Sequence, residues 1–457
     1  MTMRVLVSLI AAAGMTVPAT ASAQTLEEAL IKAYKGNPTI EAQRLATRQA
    51  DEGYAQALSN FLPRVNLTAS AGTRRVQSKS VFGPFVSRNT SDSDPNGWAV
   101  QASQSLFEGG GRMAQIARVD ADIDSSQQGL RSTEQQVLFS AITAYVSVRR
   151  DEEALRIRMA NVELLEQQLN AARERARVGV LTRTDVAQAE ARLAGAMAGV
   201  ATARADLEAS KALFQEVIGE PPGALVAPGP FKGLPATVQE AIDMAIDSNP
   251  ELLAARSGER AAKETVKIEG ADLLPTLSLV ARYDRAFTEF DGGDNTDTTS
   301  ATANFSMPLF EGGFARSRTR SAKIGVIRAQ AAIEETRRAV TADVVEAWND
   351  YQATLRVIDA SQQQVKANTL ALEGVTLESD AGERTTLDVL NARQELLDAQ
   401  LSLVRAERDA YVAGSSLMLA VGRLDPRGLG LGVDLYEPDA HREAVKWRVF
   451  STSPAKP

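Results

Sequence analysis

Two rhythms of apolar and polar residues alternate along the chain. Val65, Leu67, Ala69 and Ala71 alternate with Asn66, Thr68, Ser70 and Gly72. After a loop rich in Ser, Asp, Asn, Gly and Pro, Trp98, Val100, Ala102 and Leu106 alternate with Ala99, Gln101, Ser103 and Ser105. Leu277, Leu279, Ala281 and Tyr283 keep the same period, as do Ala301, Ala303, Phe305, Met307 and Leu309. A period of two predicts four strands, each with one apolar and one polar face.

Elsewhere the rhythm is sevens. Val186, Leu193, Val200, Leu207 and Phe214 recur, with Ala189, Ala196, Ala203, Ser210 and Val217 three positions behind. Val389, Leu396, Leu403, Ala410 and Leu417 do the same, followed by Ala392, Ala399, Ala406, Ala413 and Ala420. A sustained seven-residue repeat of one large and one small position predicts a coiled-coil seam with close helix approach. Between Gly111 and Gly179 no proline interrupts the chain. A helix over that stretch is on the order of 100 Å long, more than a compact domain accommodates. A further helix is expected from about Thr25 to Phe61, ended by Pro63 and kinked at Asn37-Pro38.

The order repeats. Leu26-Glu-Glu-Ala-Leu30, Asn37-Pro38 and Leu62-Pro63 recur 212 positions later as Val238-Gln-Glu-Ala-Ile242, Asn249-Pro250 and Leu274-Pro275. Leu106-Phe-Glu-Gly-Gly110, Gly179 and Gly219 recur at an offset of 203 as Leu309-Phe-Glu-Gly-Gly313, Gly382 and Gly422. The difference falls between Pro63 and Leu106. Two half-proteins are expected: residues 24–220, and residues 237–422 after a linker over 221–236, with a tail from 423 to 457 that ends disordered. Each half reads helix, two strands, long helix, tip, helix. At the tips, Gly179-Val-Leu-Thr-Arg-Thr-Asp185 matches Gly382-Glu-Arg-Thr-Thr-Leu-Asp388. Glycine supplies the positive φ of a tight turn, and Thr184 or Asp185, like Thr385 or Thr386, caps the helix that follows.

Composition then excludes chemistry. Cysteine is absent, and the one histidine, His441, stands in a polar tail. That leaves no thiol chemistry, no Ser/His or Cys/His nucleophile and no zinc set, so neither catalytic nor metal-ligating residues are assigned and no cofactor is implied. A net charge of −8 argues against nucleic acid as a partner. Arg4, the apolar run Val5 to Met15 and Ala21-Ser-Ala23 read as a signal peptide over residues 1–23. Glu108-Gly-Gly-Gly-Arg112 hints at a phosphate cradle but lacks the Lys-Ser/Thr that follows one, so a flexible strand-to-helix junction is the better reading. Asp291-Gly-Gly-Asp-Asn-Thr-Asp297 lacks the closing Glu of a calcium loop and is expected to be an exposed connection.

Four strands cannot close a membrane barrel, for which about eight is the smallest size, so several chains must share one. The signal peptide, the duplication, the Leu-Phe-Glu-Gly-Gly junctions and the Gly-x-x-Thr-x-x-Asp-Val tips together resemble the TolC family of outer-membrane efflux and type I secretion channels. The likeness covers the mature chain to about Pro426. It implies a mostly α protein whose homotrimer shares a 12-stranded β-barrel, four strands per chain, in outer-membrane lipid. A long α-helical coiled-coil tunnel continues the barrel through the periplasm, with the linker and tail as an equatorial band. The function it implies is the exit duct of a tripartite efflux or type I secretion system, working with a periplasmic adaptor and an inner-membrane ABC or RND-type transporter. Val178, Gly179, Val180, Ala381, Gly382 and Glu383 match the tip positions where adaptors dock. Asp185 and Arg384 match the charge pairs between neighbouring tips that hold the gate closed, and Ser379 stands where the family has a tyrosine. Asp388 keeps the first of two aspartate rings, and Asn391 replaces the second with a neutral amide. A periplasmic adaptor is the alternative, but adaptors carry one hairpin flanked by β modules. An exported enzyme is another, for which no convergent acid, base or nucleophile is found.

Overall fold

The computed structural model describes residues 24–231, 233–287 and 295–454. The expected signal peptide lies outside them, as does the Asp291–Asp294 part of the acidic loop. In the first half α1 is Leu26–Gly36, α2 Pro38–Ser59, α3 Gly111–Arg177 and α4 Arg183–Ile218. The second half answers with α5 Val238–Ser248, α6 Pro250–Ala271, α7 Phe314–Asp380 and α8 Thr386–Ala420. The helices pair in length: 11 and 11 residues, 22 and 22, 67 and 67, 36 and 35. The kink expected at each Asn-Pro is a full break. Asn37 and Asn249 are N-caps in extended conformation, their side chains accepting from Thr39 N and from Glu251 N, with proline in the first helical position. Proline there gives up only an N–H that had no intrahelical acceptor.

The chain divides into two compact units. One comprises residues 24–35, 140–230 and 358–409 of the described chain. There the predicted seams hold: each of the sevens and small partners from Val186 to Val217 and from Val389 to Ala406 is buried or half-buried. Ile157 of α3 packs with Leu397 and Leu401 of α8. Near the linker the Tyr145 hydroxyl, buried against Phe214, lies 2.8 Å from Gln24 O and 2.7 Å from Val226 O, sharing one proton between two carbonyls. Gln24 forms a parallel bridge with Leu225, so the linker is pinned to α3 rather than loose.

The other unit comprises residues 36–139, 231–357 and 410–454 of the described chain and carries the strands. β1 is Arg64–Ala71, β2 Arg74–Phe82, β3 Phe85–Ser93, β4 Asn96–Glu108, β5 Thr276–Phe287 and β6 Asn295–Ser306. The antiparallel sheet runs β1-β4-β5-β6. Its rows alternate across the strands: Leu67, Val100 and Tyr283 stand in one register, and Asn66, Gln101, Arg282 and Ser300 in the next. One face is therefore apolar and the other polar, the signature of a wall between lipid and water. Trp98 and Tyr283 lie 5.2 Å apart towards one end of the apolar face. Among the described residues, the outer edges of β1 and β6 have no strand beside them.

Two expectations need correction in this unit. The loop between β1 and β4 is no loop but a second, two-stranded sheet, β2-β3. β6 ends at Ser306 rather than Leu309, because Pro308 has no N–H to offer a ladder. In the tail, α9, Pro438–Val445, packs on α2, and His441 is buried. His441 Nδ1 lies 3.2 Å from Oδ2 of Asp51, which is fully buried, and Arg442 donates to Asp120 at 2.8 Å. Burial pushes the Asp51 carboxyl up, and the His441 contact opposes that shift. Removing one partner from a buried polar pair strands the other in a poor solvent, at a cost of about 3 kcal/mol. His441→Ala should therefore release α9, read as rapid proteolysis between Leu431 and Val445. Asp51→Leu added to it should restore protection.

The first Leu-Phe-Glu-Gly-Gly junction, expected to be flexible, is a tightly packed corner. Gly109 has φ +57°, and a Cβ there would stand 2.7 Å from the Ala271 carbonyl oxygen. Glu108 and Arg112 meet as a two-bond fork, Nε to Oε2 at 2.8 Å and Nη2 to Oε1 at 2.9 Å. The guanidinium that resembled part of a phosphate cradle is thus occupied by a carboxylate.

Candidate functional site

The two tips, both in the first unit, are built to one plan. α3 ends in a left-handed Gly179, φ +81°, with Gly179 N donating to Ala176 O and Val180 N to Arg175 O. α7 ends in Gly382, φ +84°, with Gly382 N donating to Ser379 O and Glu383 N to Glu378 O. These are the paired bonds of a Schellman motif, which satisfies the last carbonyls of a helix within two residues. Thr182 then opens α4 and Thr385 opens α8, each as half of a capping box. Thr182 Oγ1 accepts from Asp185 N at 3.2 Å, and Asp185 Oδ2 accepts from Thr182 N at 2.9 Å and Oγ1 at 2.7 Å. For Thr385 and Asp388 the same three contacts are 3.2, 3.0 and 2.8 Å. The cap of α4 is thus Thr182, not Thr184 or Asp185. Thr385, one of the two candidates for α8, plays that part there. The sequence signal was present as Thr-x-x-Asp in both copies.

The tips expose what they could offer a partner. Val178 and Val180 are 70% and 69% exposed, and a Cβ added at Gly179 or Gly382 would meet open space. Ala381 and Glu383 are exposed beside Gly382.

Within the single chain each of the charges has a local partner. Arg384 donates through Nε to Glu378 Oε2 at 2.8 Å, within its own hairpin. Asp185 is held by Thr182, and Ser379 gives its carbonyl to the turn. Thr182 holds the Asp185 carboxyl below the usual carboxylate range, and Thr385 does the same for Asp388. Both are charged at neutral pH. Arg175 approaches Asp380 at 3.9 Å, from one tip to the other. Deeper in, Arg192 Nη2 of α4 donates to Asn391 Oδ1 of α8 at 2.9 Å. Sequence reasoning missed Glu378, Arg175 and Arg192, because a charged residue on a solvated helix face carries no periodic mark.

Comparison with known proteins decides the family. The model described as "Outer membrane efflux protein" matches residues 29–220 and 241–423, one stretch for each half. The chain belongs to this family. It is 33% identical over 432 residues to outer membrane efflux protein BepC of Brucella suis biovar 1, covering 94% of this chain and 92% of that protein. It is 26% identical over 413 residues to outer membrane protein TolC of Vibrio cholerae serotype O1, covering 88% and 91%. Among solved structures, that of CusC superposes with a TM-score of 0.75 at 17% identity, covering 87% of this chain and 92% of CusC. The protein is an outer-membrane exit duct that extends into the periplasm. Its four-stranded sheet is one chain's share of a barrel completed by further copies, and both unpaired edges then find partners.

Proposed function

We propose that the duct ends in a docking and gating surface made of the two tips, and that a periplasmic adaptor covers it. The carrying observation is their matched construction: two Schellman turns and two capping boxes present Val178-Gly-Val180 and Ala381-Gly-Glu383 on like frames. In a trimer this gives six near-equivalent turns, the symmetry that a ring of helical hairpins would recognise. The inner-membrane partner is a transporter of the ABC or RND type, and cargo passes without covalent chemistry. The gate rests on Arg384. Glu378 engages its Nε and so aims the side chain, leaving the Nη groups to meet Asp185 of a neighbouring tip.

Because the chain has no cysteine, single cysteines report cleanly. Val180→Cys and Glu383→Cys should each trap the adaptor in living cells with a bifunctional maleimide, and Leu67→Cys in β1 should not. Trapping at Leu67 alone, or nowhere, would refute docking at the tips.

A further inference from the structure

The β2-β3 ribbon carries a second, unassigned surface. Its register continues that of β1 and β4 without a slip: Ala71 pairs with Asn96, and three residues on along each strand Arg74 pairs with Ser93. Face assignments therefore carry across Gly72-Thr73 and Asp94-Pro95. The face bearing Val65, Leu67 and Ala69, the lipid side of the sheet, continues as Arg75 with Asp92, Gln77 with Thr90, Lys79 with Arg88 and Val81 with Val86. β4 and β5 stop pairing at Asn96 and Phe287, so among the described residues the ribbon stands alone beyond that level.

Two features of the ribbon are costly in water alone. Lys79 and Arg88 are directly cross-strand neighbours, and like charges so placed repel. Arg75 has a carboxylate, Asp92, at 2.6 Å, whereas no ion pair to Lys79 or Arg88 is formed among the described residues. Beyond them Phe82 and Phe85 are 79% and 77% exposed around Gly83, whose φ of +58° suits the first central place of a two-residue turn. Phe82 and Phe85 stand on the other face of the ribbon; on the lipid-side face of an acidic chain the cationic pair is followed by Val81 and Val86.

Height selects the partner. Lys79 stands eight residues beyond Ala71, about 26 Å along the strand, or about 20 Å above the lipid edge at the tilt of barrel strands. A phospholipid headgroup layer reaches only about 5–8 Å. We infer that Lys79 and Arg88 bind the phosphorylated sugars of an outer-leaflet glycolipid. The cations meet its phosphates. This rests on the barrel placing the apolar sheet face in lipid, but not on the tips.

The test is native mass spectrometry of the full-length trimer in detergent, with lipopolysaccharide carrying a phosphorylated core as probe. Wild type should retain it, and Lys79→Gln with Arg88→Gln should weaken retention about tenfold or more. Arg88→Glu is the sharper variant. It would give Lys79 a cross-strand ion pair and firm the ribbon, yet should also lose the glycolipid. The same lipopolysaccharide with its core phosphates removed, and lipid A without core sugars, should bind wild type no better than the double variant binds the intact probe. Equal retention by wild type and Arg88→Glu, or full retention of lipid A, would overturn the inference. So would release by millimolar inorganic phosphate, which would assign the cations to free anions instead. Trimer abundance in the same spectra reports the barrel separately.

Discussion

Alanine at Gly382 and alanine at Gly422 should give opposite phenotypes, although the two glycines share a backbone conformation. Both are left-handed, at φ +84° and +74°, and both close a helix by the same pair of bonds. A non-glycine residue there costs on the order of 1–2 kcal/mol by itself. Their surroundings differ. Around Gly382 a Cβ meets nothing within 4 Å. At Gly422 it would stand 2.6 Å from both Asn249 Cα and Ser248 O, which are backbone atoms that cannot swing aside. The same corner ties four elements together: Gly422 O accepts from Gln135 and Arg131 of α3, Ser248 donates to Val421 O, and Asn249 donates to Ala420 O. Pushing α8 off the α5–α6 break therefore disrupts all of these contacts. Gly422→Ala should abolish accumulation of heat-resistant trimer in the outer membrane. Gly382→Ala should accumulate normally, and Gly382→Trp should also accumulate yet export nothing, because its bulk lies on the docking surface. Both measurements come from one culture: trimer by immunoblot, export by cargo in the medium. Normal export by Gly382→Trp would remove the tips from the docking surface.

What the sequence made legible follows from which faces are buried. The seam residues of α4 and α8 carry a seven-residue mark because each turn must hide one side, and the strands of the main sheet carry a period of two because lipid and water lie on opposite faces. The β2-β3 ribbon carries no such mark. Every residue in it is exposed on both faces, so Ser78, Ser80 and Ser87 are as acceptable as valine, and its composition reads as loop. The burial of His441 was not legible for a related reason: in an eight-residue helix, a single inward turn is too short for a period to emerge. At the tips the sequence showed the turn and both acids, since Gly and Thr-x-x-Asp are local demands of the backbone. It did not show Glu378, whose contact with Arg384 depends on how the turn folds back over six residues.

Conductance of the purified trimer in planar bilayers should separate a gate from a pair of helix caps. If Glu378 aims Arg384 at a neighbouring tip, Arg384→Ser removes three closing contacts at once. A factor of about two for each exposed pair multiplies to about eightfold in open population. Glu378→Gln leaves the guanidinium charged but unaimed, and should give a smaller rise. The acids respond differently. Asp388 spends one oxygen, Oδ2, on Thr385, which leaves Oδ1 to face a permeating ion. If Asp388 lines the lumen, three such oxygens per trimer should bind a multivalent cation, and Asn391, holding Arg192 rather than adding charge, should keep that binding modest. Asp388→Asn retains an acceptor for the cap while removing the charge, so block by hexamminecobalt(III) should weaken about tenfold with the trimer intact. Because Thr385 holds the Asp388 carboxyl below its ordinary range, the wild-type block should persist at about pH 4, where an unperturbed aspartate is half protonated, and disappear only on further acidification. Unchanged conductance in Arg384→Ser together with unchanged block in Asp388→Asn would leave these residues as turn-stiffening contacts and place the constriction elsewhere along the duct.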